Sequence, residues 1–343
     1  RHRHRMTSFK NGGMDPLTSE ACHPSPVRQF DDAAEQKRTD TVPSLALEEE
    51  NRTTLETHLS AKYTPATKAY KNEEFLASRE ARLIRIMCEY QQPAKTFKDH
   101  GIENTMLLFA SARGKSREQF DASFRSMTET LASLEDEKAR TAMESDLERL
   151  KRTEWMCAYY DIVCDTARML AQWGVDRKKQ GSSEYSICTG GGPGLMEAAN
   201  KGASSVEGAK SLGLGISLPF EAGCNLFVTP ELAFEFHYFF TRKFWMTLPC
   251  KALIVAPGGF GTCDELFEFI CLQQTGKKDW TPIVLLGSEY WNEIINWDAM
   301  AKYGTVSERD VKRLVFLDTA QEVYDYLTTE LIRMESERGA DEC

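Results

Sequence analysis

The chain has 343 residues, of which 41% are hydrophobic and 10% aromatic, so it can bury the core of one large domain with extensions. Its 42 basic and 52 acidic residues give a formal net charge of −10, and no stretch beyond the first five residues is rich in Lys or Arg. This balance argues against a nucleic-acid partner, because binding a phosphate backbone requires a basic surface. We expect any phosphate ligand to be small and bound locally.

The spacing of the cysteines and the length of the apolar runs indicate the cellular compartment of the protein. The ten cysteines are spread singly, without a CxxC pair of the kind that holds zinc or exchanges disulfides, which indicates reduced thiols and no metal site. No apolar run reaches the length of about 18 residues that a membrane span requires, and the start lacks the apolar core of a secretory signal. We therefore expect a cytoplasmic protein without a membrane partner.

Residues 1–61 are polar, poor in aromatic residues and without sustained periodicity, which predicts a disordered N-terminal extension. We expect residues 62–343 to form a single domain. Apolar residues at helical spacing predict a helix over 73–90 and a second one from Trp155 to Trp173. The highly charged stretch between them predicts a helical insertion at about 115–152, most simply a solvated amphipathic hairpin.

Short apolar runs, bounded by Gly, Pro or polar residues, alternate with these helical stretches. This alternation is typical of parallel strands joined by crossover helices and predicts an α/β fold, a Rossmann-like doubly wound parallel sheet flanked by helices. The predicted strands are Thr105–Ala110, Ser186–Thr189, Leu214–Leu218, Ala252–Ala256, Ile283–Leu286 and Leu314–Leu317.

The segment from Lys251 to Gly276 carries the strongest indication of a site. An apolar run meets the glycine-rich turn Pro257–Thr262, which is followed by a helical pattern. In such a turn the backbone N–H groups approach an anion closely, and the helix dipole adds partial positive charge. The turn lacks the Lys of a Walker loop and the spacing of a dinucleotide fingerprint, so it predicts a cradle for one terminal monophosphate.

Thr262 and Glu265, three residues apart at this helix start, have two interpretations. They can form a capping box, in which both side chains satisfy backbone donors. Alternatively, the Thr262 hydroxyl contacts the phosphate and the Glu265 carboxylate faces the ribose. The spacing alone does not choose between the two.

Two further loops follow predicted strands. The turn Thr189–Gly194 again joins a strand to a helix, and its glycines permit close packing against a ligand, although they also suit a purely structural turn. Ser111 follows the first strand, at the carboxyl edge where open α/β sheets bind ligands.

An aromatic-rich helix is predicted from Thr229, with Thr229 as N-cap and Pro230 at the first helical position, to about Trp245. Its aromatic residues are more typical of a core or a dimer interface than of a base-stacking platform. Arg242 and Lys243 lie near its end, where a solvated pair interacting with the helix dipole is the simpler interpretation.

Three stretches occur together: GGGPGLMEAANKGA from Gly190, TPELAFEFHYFFTRKFWM from Thr229 and PGGFGTCDELFE from Pro257. Over about residues 84–320 they resemble the LONELY GUY family of nucleotide phosphoribohydrolases, often labelled lysine decarboxylases. Shorter plant-type members carry a His where this chain has Phe240, so it looks more like the longer bacterial-type branch.

The resemblance implies a homodimer whose site is partly completed at the subunit interface. It also implies that Arg242 and Glu265 are the catalytic pair. The residues expected to bind substrate are Ser111, Gly191, Gly192, Gly194, Lys243, Gly258, Gly259, Gly261 and Thr262.

The implied reaction is hydrolysis of the N-glycosidic bond of a nucleoside 5'-monophosphate, AMP or a cytokinin riboside 5'-monophosphate, to free base and ribose 5-phosphate. A carboxylate at Glu265 suits it, because bond cleavage builds positive charge on the ribose. No metal or cofactor is needed. The main alternative is a non-catalytic carrier of a nucleotide or phosphorylated cofactor. A pyridoxal-phosphate decarboxylase and an NAD-dependent oxidoreductase are weaker, since the motifs those chemistries need are missing.

Overall fold

The computed structural model describes residues 66–218 and 223–341, with side chains as far as residue 337. The predicted extension, 1–61, and the predicted domain start at residue 62 lie outside the described residues. The described residues from Ala69 onward belong to one unit of the chain. Within these ranges no helix is both long enough and apolar enough to cross a membrane.

Strands and helices alternate along the described part of the chain. The strands are β1 (Thr105–Phe109), β2 (Ser186–Thr189), β3 (Ser211–Ile216), β4 (Ala233–Phe236), β5 (Cys250–Val255), β6 (Ile283–Leu286) and β7 (Leu314–Leu317). The helices are α1 (Glu73–Ala77), α2 (Arg82–Asp99), α3 (Arg117–Ser133), α4 (Glu137–Lys151), α5 (Met156–Lys179), α6 (Leu195–Ser204), α7 (Phe239–Thr247), α8 (Phe260–Gln274), α9 (Ser288–Ile294), α10 (Trp297–Lys302), α11 (Glu308–Val311) and α12 (Ala320–Asp341).

The strands form one parallel sheet in the order β4-β3-β2-β1-β5-β6-β7. The chain winds outward from β1 to β4 and then returns to place β5 on the other side of β1. The predicted fold class, a Rossmann-like doubly wound sheet, is therefore confirmed. The winding reverses at β1, and ligands of such sheets bind where the carboxyl ends of the strands flank this switch point.

Alternate side chains of the central strand enter two different cores. Met106 and Leu108 pack with apolar residues of α5, α6 and α12 on one face of the sheet. Leu107 and Phe109 pack on the other face, with residues of α2 and α7 to α10. Because both faces of the sheet are covered, the central strands are mostly apolar, which is why short apolar runs predicted them.

The predicted strands agree with the observed ones to within two residues, except for the third. That strand begins at Ser211, three residues before the predicted start at Leu214. Ser211 and Gly213 interrupt the apolar run, but a glycine is needed here because a Cβ at Gly213 would lie 2.7 Å from Val228 Cγ2. The apolar pattern alone therefore missed the beginning of β3.

The helix predicted from Thr229 to Trp245 is wrong in its first half. Pro230–Leu232 is a 3-10 turn, β4 follows, and α7 begins only at Phe239. Phe234 and Phe236 are buried while their neighbours are exposed, so the aromatic residues follow the period of a strand at the sheet edge. The Thr229 hydroxyl does not cap a helix; it accepts a hydrogen bond from the Ser211 N–H, at 3.1 Å.

The charged insertion is a helical hairpin, as predicted. Its first helix, α3, starts with a capping box between Ser116 and Gln119, and its second, α4, is capped by Asp136. Each helix buries a single residue, Phe120 or Leu147, which explains why the rest of the hairpin is charged. The helix predicted over 73–90 is instead two helices, α1 and α2.

Candidate functional site

Three loops meet where the sheet winding reverses. They follow β1, β2 and β5, which are neighbours in the sheet, so their carboxyl ends lie side by side. Ser111 joins the loops: its N–H donates to the carbonyl of Pro257 at 2.9 Å, and its own carbonyl accepts from the N–H of Leu195 at 3.0 Å. The predicted binding residues Ser111, Gly191, Gly192, Gly194 and Gly258 thus lie on neighbouring loops at one edge of the sheet.

The turn after β2 needs glycine for two different reasons. Gly191 and Gly194 have φ of +72° and +78°, which residues with side chains rarely adopt. A Cβ at Gly194 would also lie 2.5 Å from the carbonyl oxygen of Ser111. The turn is therefore built to lie directly against the loop that follows β1.

A buried polar network fixes the shape of this turn. The Thr189 hydroxyl accepts from the Gly191 N–H at 2.9 Å and donates to Asn200 Oδ1 at 2.7 Å. The Asn225 amide donates to the carbonyls of Gly191 and Gly192, both at 3.1 Å, and to Asn200 Oδ1 at 2.9 Å. Because every buried polar group of this set has a partner, the turn is held in one conformation before any ligand arrives.

The loop after β5 leaves the start of α8 without a side-chain cap. Its N-cap is Gly259, and a Cβ at Gly259 or Gly261 would meet nothing within 4 Å. The first N–H groups of α8 therefore have room for a ligand beside them, together with the positive end of the helix dipole. Tyr290 steadies the loop, since its hydroxyl donates to the carbonyl of Gly258 at 2.7 Å.

The capping-box interpretation of Thr262 and Glu265 is wrong. The helix starts at Phe260, so Thr262 is the third residue inside it and cannot be its N-cap. Thr262 packs against the loop instead: a Cβ at Gly258 would lie 2.1 Å from its Oγ1. Both Thr262 and Glu265 are buried, and their contact with a phosphate and a ribose stays a prediction.

Arg242 of α7 and Glu265 of α8 are brought together although 23 positions separate them. Arg242 Nη1 lies 3.6 Å from Glu265 Oε1, and the two side chains are only 8% and 2% exposed. Arg242 Nε donates to the carbonyl of Leu214 at 2.7 Å, and its guanidinium lies over the ring of Phe109 at 5.6 Å. A Cβ at Gly190 would lie 2.7 Å from Arg242 Nη2, so this glycine makes room for the guanidinium.

Burial raises the pKa of Glu265 to about 7, despite the nearby positive charges of Arg242 and Lys243, which lower it. Glu268 and Asp264 add to the upward shift. A carboxyl group with a pKa near neutral can exchange a proton at physiological pH, which is the property expected of a general base.

Lys243, the residue after Arg242, is surrounded by acidic side chains. It contacts Glu268 and lies 2.9 Å from Asp264 Oδ2, both on α8. Burial alone would lower its pKa, but the hydrogen bonds to these carboxylates raise it. Lys243 thus ties α7 to α8 and lines a pocket of 470 Å³ with Phe240 and Phe244.

Several residues around the crevice carry no motif and were not predicted. Gly190 lies in the predicted glycine turn, but only its distance to Arg242 distinguishes it. Asn200, Asn225 and Tyr290 support the two turns through contacts between residues far apart in sequence. Phe109 ends an apolar strand and looks like any core residue. Among the described residues, no three His, Cys, Asp or Glu side chains form a group that could hold a metal ion.

Comparisons with known proteins give three likenesses. Residues 196–327 match the family model described as possible lysine decarboxylase. The chain is similar to a probable cytokinin riboside 5'-monophosphate phosphoribohydrolase, LOGL3, of Oryza sativa subsp. japonica, with 28% identity over 196 residues, covering 52% of this chain and 84% of that protein. It is also similar to the solved molybdenum cofactor binding protein of the phototrophic bacterium Rippkaea orientalis, with 21% identity and a TM-score of 0.32, over 50% of this chain and 88% of that one.

The matched family region contains Arg242, Lys243 and the whole glycine loop from Pro257 to Glu265, and it begins inside the stretch that follows Gly190. These are the segments that the fold brings to one crevice. The family match and the similar Oryza protein support the resemblance of this chain to the LONELY GUY family.

Proposed function

We propose that this protein hydrolyses the N-glycosidic bond of nucleoside 5'-monophosphates, releasing the free base and ribose 5-phosphate. The observation that carries the proposal is the buried pair Arg242 and Glu265 beside an uncapped, glycine-lined helix start. The name of the similar Oryza protein supports the same reaction class. AMP and cytokinin riboside 5'-monophosphates are the substrates we propose to test first.

The phosphate group would bind at the start of α8, against Gly259 and Gly261, where backbone N–H groups and the helix dipole favour an anion. Ser111, Gly191, Gly192, Gly194 and Gly258 would line the rest of the crevice, with Thr262 facing the phosphate. Binding energy from the phosphate would then position the ribose beside Glu265.

In the reaction the bond between ribose C1' and the base nitrogen breaks, and its electron pair leaves with the base. The negative charge of Glu265 stabilises the positive charge that develops on the ribose. A water oxygen attacks C1', Glu265 accepts the water proton, and the departing base takes up a proton. Arg242 holds the reacting geometry through charge-assisted hydrogen bonds, while its Nε is anchored to the Leu214 carbonyl.

The experiment is incubation of the purified full chain with a panel of nucleoside 5'-monophosphates, with free base detected by chromatography. Ribose 5-phosphate is measured in the same samples and should appear in equal amounts with the base. Heat-denatured protein serves as control. If a monophosphate binds but no base is released from any member of the panel, the chain is a carrier of a nucleotide or phosphorylated cofactor, the second candidate.

The family description as a possible lysine decarboxylase finds no support at Lys243. A Schiff-base lysine needs a lowered pKa, whereas the contacts of Lys243 with Glu268 and Asp264 raise it. We expect no absorbance shift when the protein is mixed with pyridoxal phosphate. A shift that is lost in Lys243→Arg would favour the decarboxylase.

Three further features are part of the proposal. Phe240, at the position of a plant-type His, favours the longer bacterial-type branch. The exposed aromatic residues of α7 favour a homodimer, argued below. The absence of cysteine pairing among the eight described cysteines fits a cytoplasmic protein.

A further inference from the structure

The helix that carries Arg242 has no cap of its own. α7 is nine residues long, and its N-cap residue, Tyr238, makes no side-chain hydrogen bond to the first turn. A helix start of this kind exposes backbone N–H groups that need partners. Arg242 lies in this first turn, so the conformation of the helix start sets where its guanidinium points.

A carboxylate from a distant helix binds the two residues that lead into α7 and one side chain of its first turn. Glu89 of α2 accepts hydrogen bonds from the His237 N–H at 2.8 Å and, more weakly, from the Tyr238 N–H at 3.4 Å. It also accepts from the hydroxyl of Thr241 at 2.5 Å, and Thr241 is buried. The negative charge of Glu89 suits the positive end of the α7 dipole.

These contacts involve the residues that hold the backbone of Arg242. The Arg242 N–H donates to the carbonyl of Tyr238 at 3.3 Å, and Thr241, held by Glu89, is the preceding residue. A small rotation of the α7 start would move the guanidinium away from both the Leu214 carbonyl and Glu265. We propose that Glu89 is a positioning residue for Arg242, acting through the first turn of α7; its kinetic consequence rests on the proposed function.

Amide hydrogen exchange tests the structural half of the proposal without any need for activity. Glu89→Gln should speed exchange in the peptide covering 237–247 by about fivefold, an effect on the order of that measured when the side-chain contacts at a helix start are weakened. Thr241→Val, which removes only the hydroxyl, should act in the same direction and serves if Glu89→Gln folds poorly. Asp99→Asn is the matched control, because Asp99 is on α2 but binds the exposed Lys95. Unchanged exchange in both test variants would overturn the proposal.

A double-mutant cycle tests whether Glu89 acts through Arg242. Glu89→Gln should lower kcat on the order of tenfold, as a misplaced reacting group does, with a smaller change in KM. In an Arg242→Ala background the same change should have no further effect, whereas a purely structural role would lower turnover by the same factor in both backgrounds. If the wild type releases no base from any nucleotide, the proposed function is wrong, but the positioning role can still be tested. The affinity of each variant for ribose 5-phosphate is then compared in place of kcat. If Glu89→Gln causes the same fold decrease in the wild-type and Arg242→Ala backgrounds, the positioning role is wrong.

Discussion

The guanidinium of Arg242 and the carboxyl group of Glu265 face each other from two helices, with Nη1 and Oε1 3.6 Å apart. This separation is longer than the charge-assisted hydrogen bonds of about 2.7–2.9 Å that stabilise ion pairs most strongly. The attraction between Arg242 and Glu265 therefore does not offset the cost of removing the Glu265 carboxylate from water. As a result, the pKa of Glu265 rises to about 7. Such an arrangement costs stability in the folded protein, which is common where groups are placed for chemistry.

The first prediction concerns the Glu265 carboxyl group. Glu265→Gln keeps the shape and a hydrogen-bond acceptor but can neither stabilise positive charge nor take a proton. We expect turnover to fall by about a hundredfold or more, with folding nearly intact in a thermal melt. Asp264→Asn is the control, since Asp264 is the neighbouring residue, is 55% exposed and pairs with Lys243. Near-normal turnover in Glu265→Gln would show that the proposed mechanism is wrong.

Arg242→Ala should cause a loss of similar size. Since both residues act on one transition state, the double variant should lose less than the product of the two separate factors. Kinetics on the two single variants and the double variant measure this directly. A fully multiplicative loss would mean that the two groups act independently.

The strands and the three loops were predictable because each depends on a local pattern. A buried parallel strand is an unbroken apolar run, and the loops at its carboxyl end need glycine. The expectation that Arg242 and Glu265 form a pair came from the family resemblance of short motifs, and the fold places the two side chains together.

The edge strand and the supporting contacts were not predictable in the same way. The aromatic residues of 230–245 satisfy a helical pattern, and only pairing with β3 makes Phe234 and Phe236 a strand. Glu89 and Thr241 are 152 positions apart, and no local pattern links them. Tertiary contacts, rather than propensity, decide both cases.

The second prediction is a pH dependence of stability. The ordinary pKa of a Glu side chain is 4.5, and that of buried Glu265 is about 7. Between these values the folded state holds a proton that the unfolded chain has lost, so stability falls as the pH rises, by at most about 1.4 kcal/mol per pH unit. The wild type should therefore lose thermal stability relative to Glu265→Gln between about pH 5 and pH 7, which lies within the window of about 4.5 to 7. Asp264→Asn retains Glu265 and should show nearly the same trend as the wild type, and a constant difference between wild type and Glu265→Gln would contradict the raised pKa.

The third prediction locates the phosphate. Gly261→Ala meets no protein atom within 4 Å, so the folded protein should tolerate it, and Ala suits the helix better than Gly. If a phosphate lies against this glycine, the methyl group should raise the KM for AMP about tenfold or more, equivalent to about 1.4 kcal/mol of binding energy, without lowering the melting temperature.

Inhibition by inorganic phosphate should weaken in parallel in Gly261→Ala, while inhibition by free adenine should not change. Gly258→Ala provides a contrast, because its Cβ would lie 2.1 Å from Thr262 Oγ1 and should destabilise the loop itself. Adenosine should be a poor substrate throughout, since it lacks the group that the loop binds. Equal turnover of adenosine and AMP by the wild type would contradict a phosphate site here.

The last prediction concerns the apolar surface formed by α2 and α7. Met87, Tyr90, Phe240 and Leu248 are 62%, 47%, 57% and 56% exposed, and Tyr90 packs beside Phe244 at 5.2 Å, so the two helices share one surface. An apolar surface of this kind on a folded protein indicates an interface, and we expect a second copy of the chain to cover it. Because α7 carries Arg242, pairing should also be needed for activity.

Phe240→Glu should shift the protein from dimer to monomer in light scattering at micromolar concentration and lower turnover, while leaving each subunit folded. Tyr303→Glu is the control, as Tyr303 is 78% exposed but follows α10, outside this surface. A wild-type protein that is monomeric and fully active would refute the proposed interface. If Phe240→Glu remains a dimer, the interface lies elsewhere on the protein.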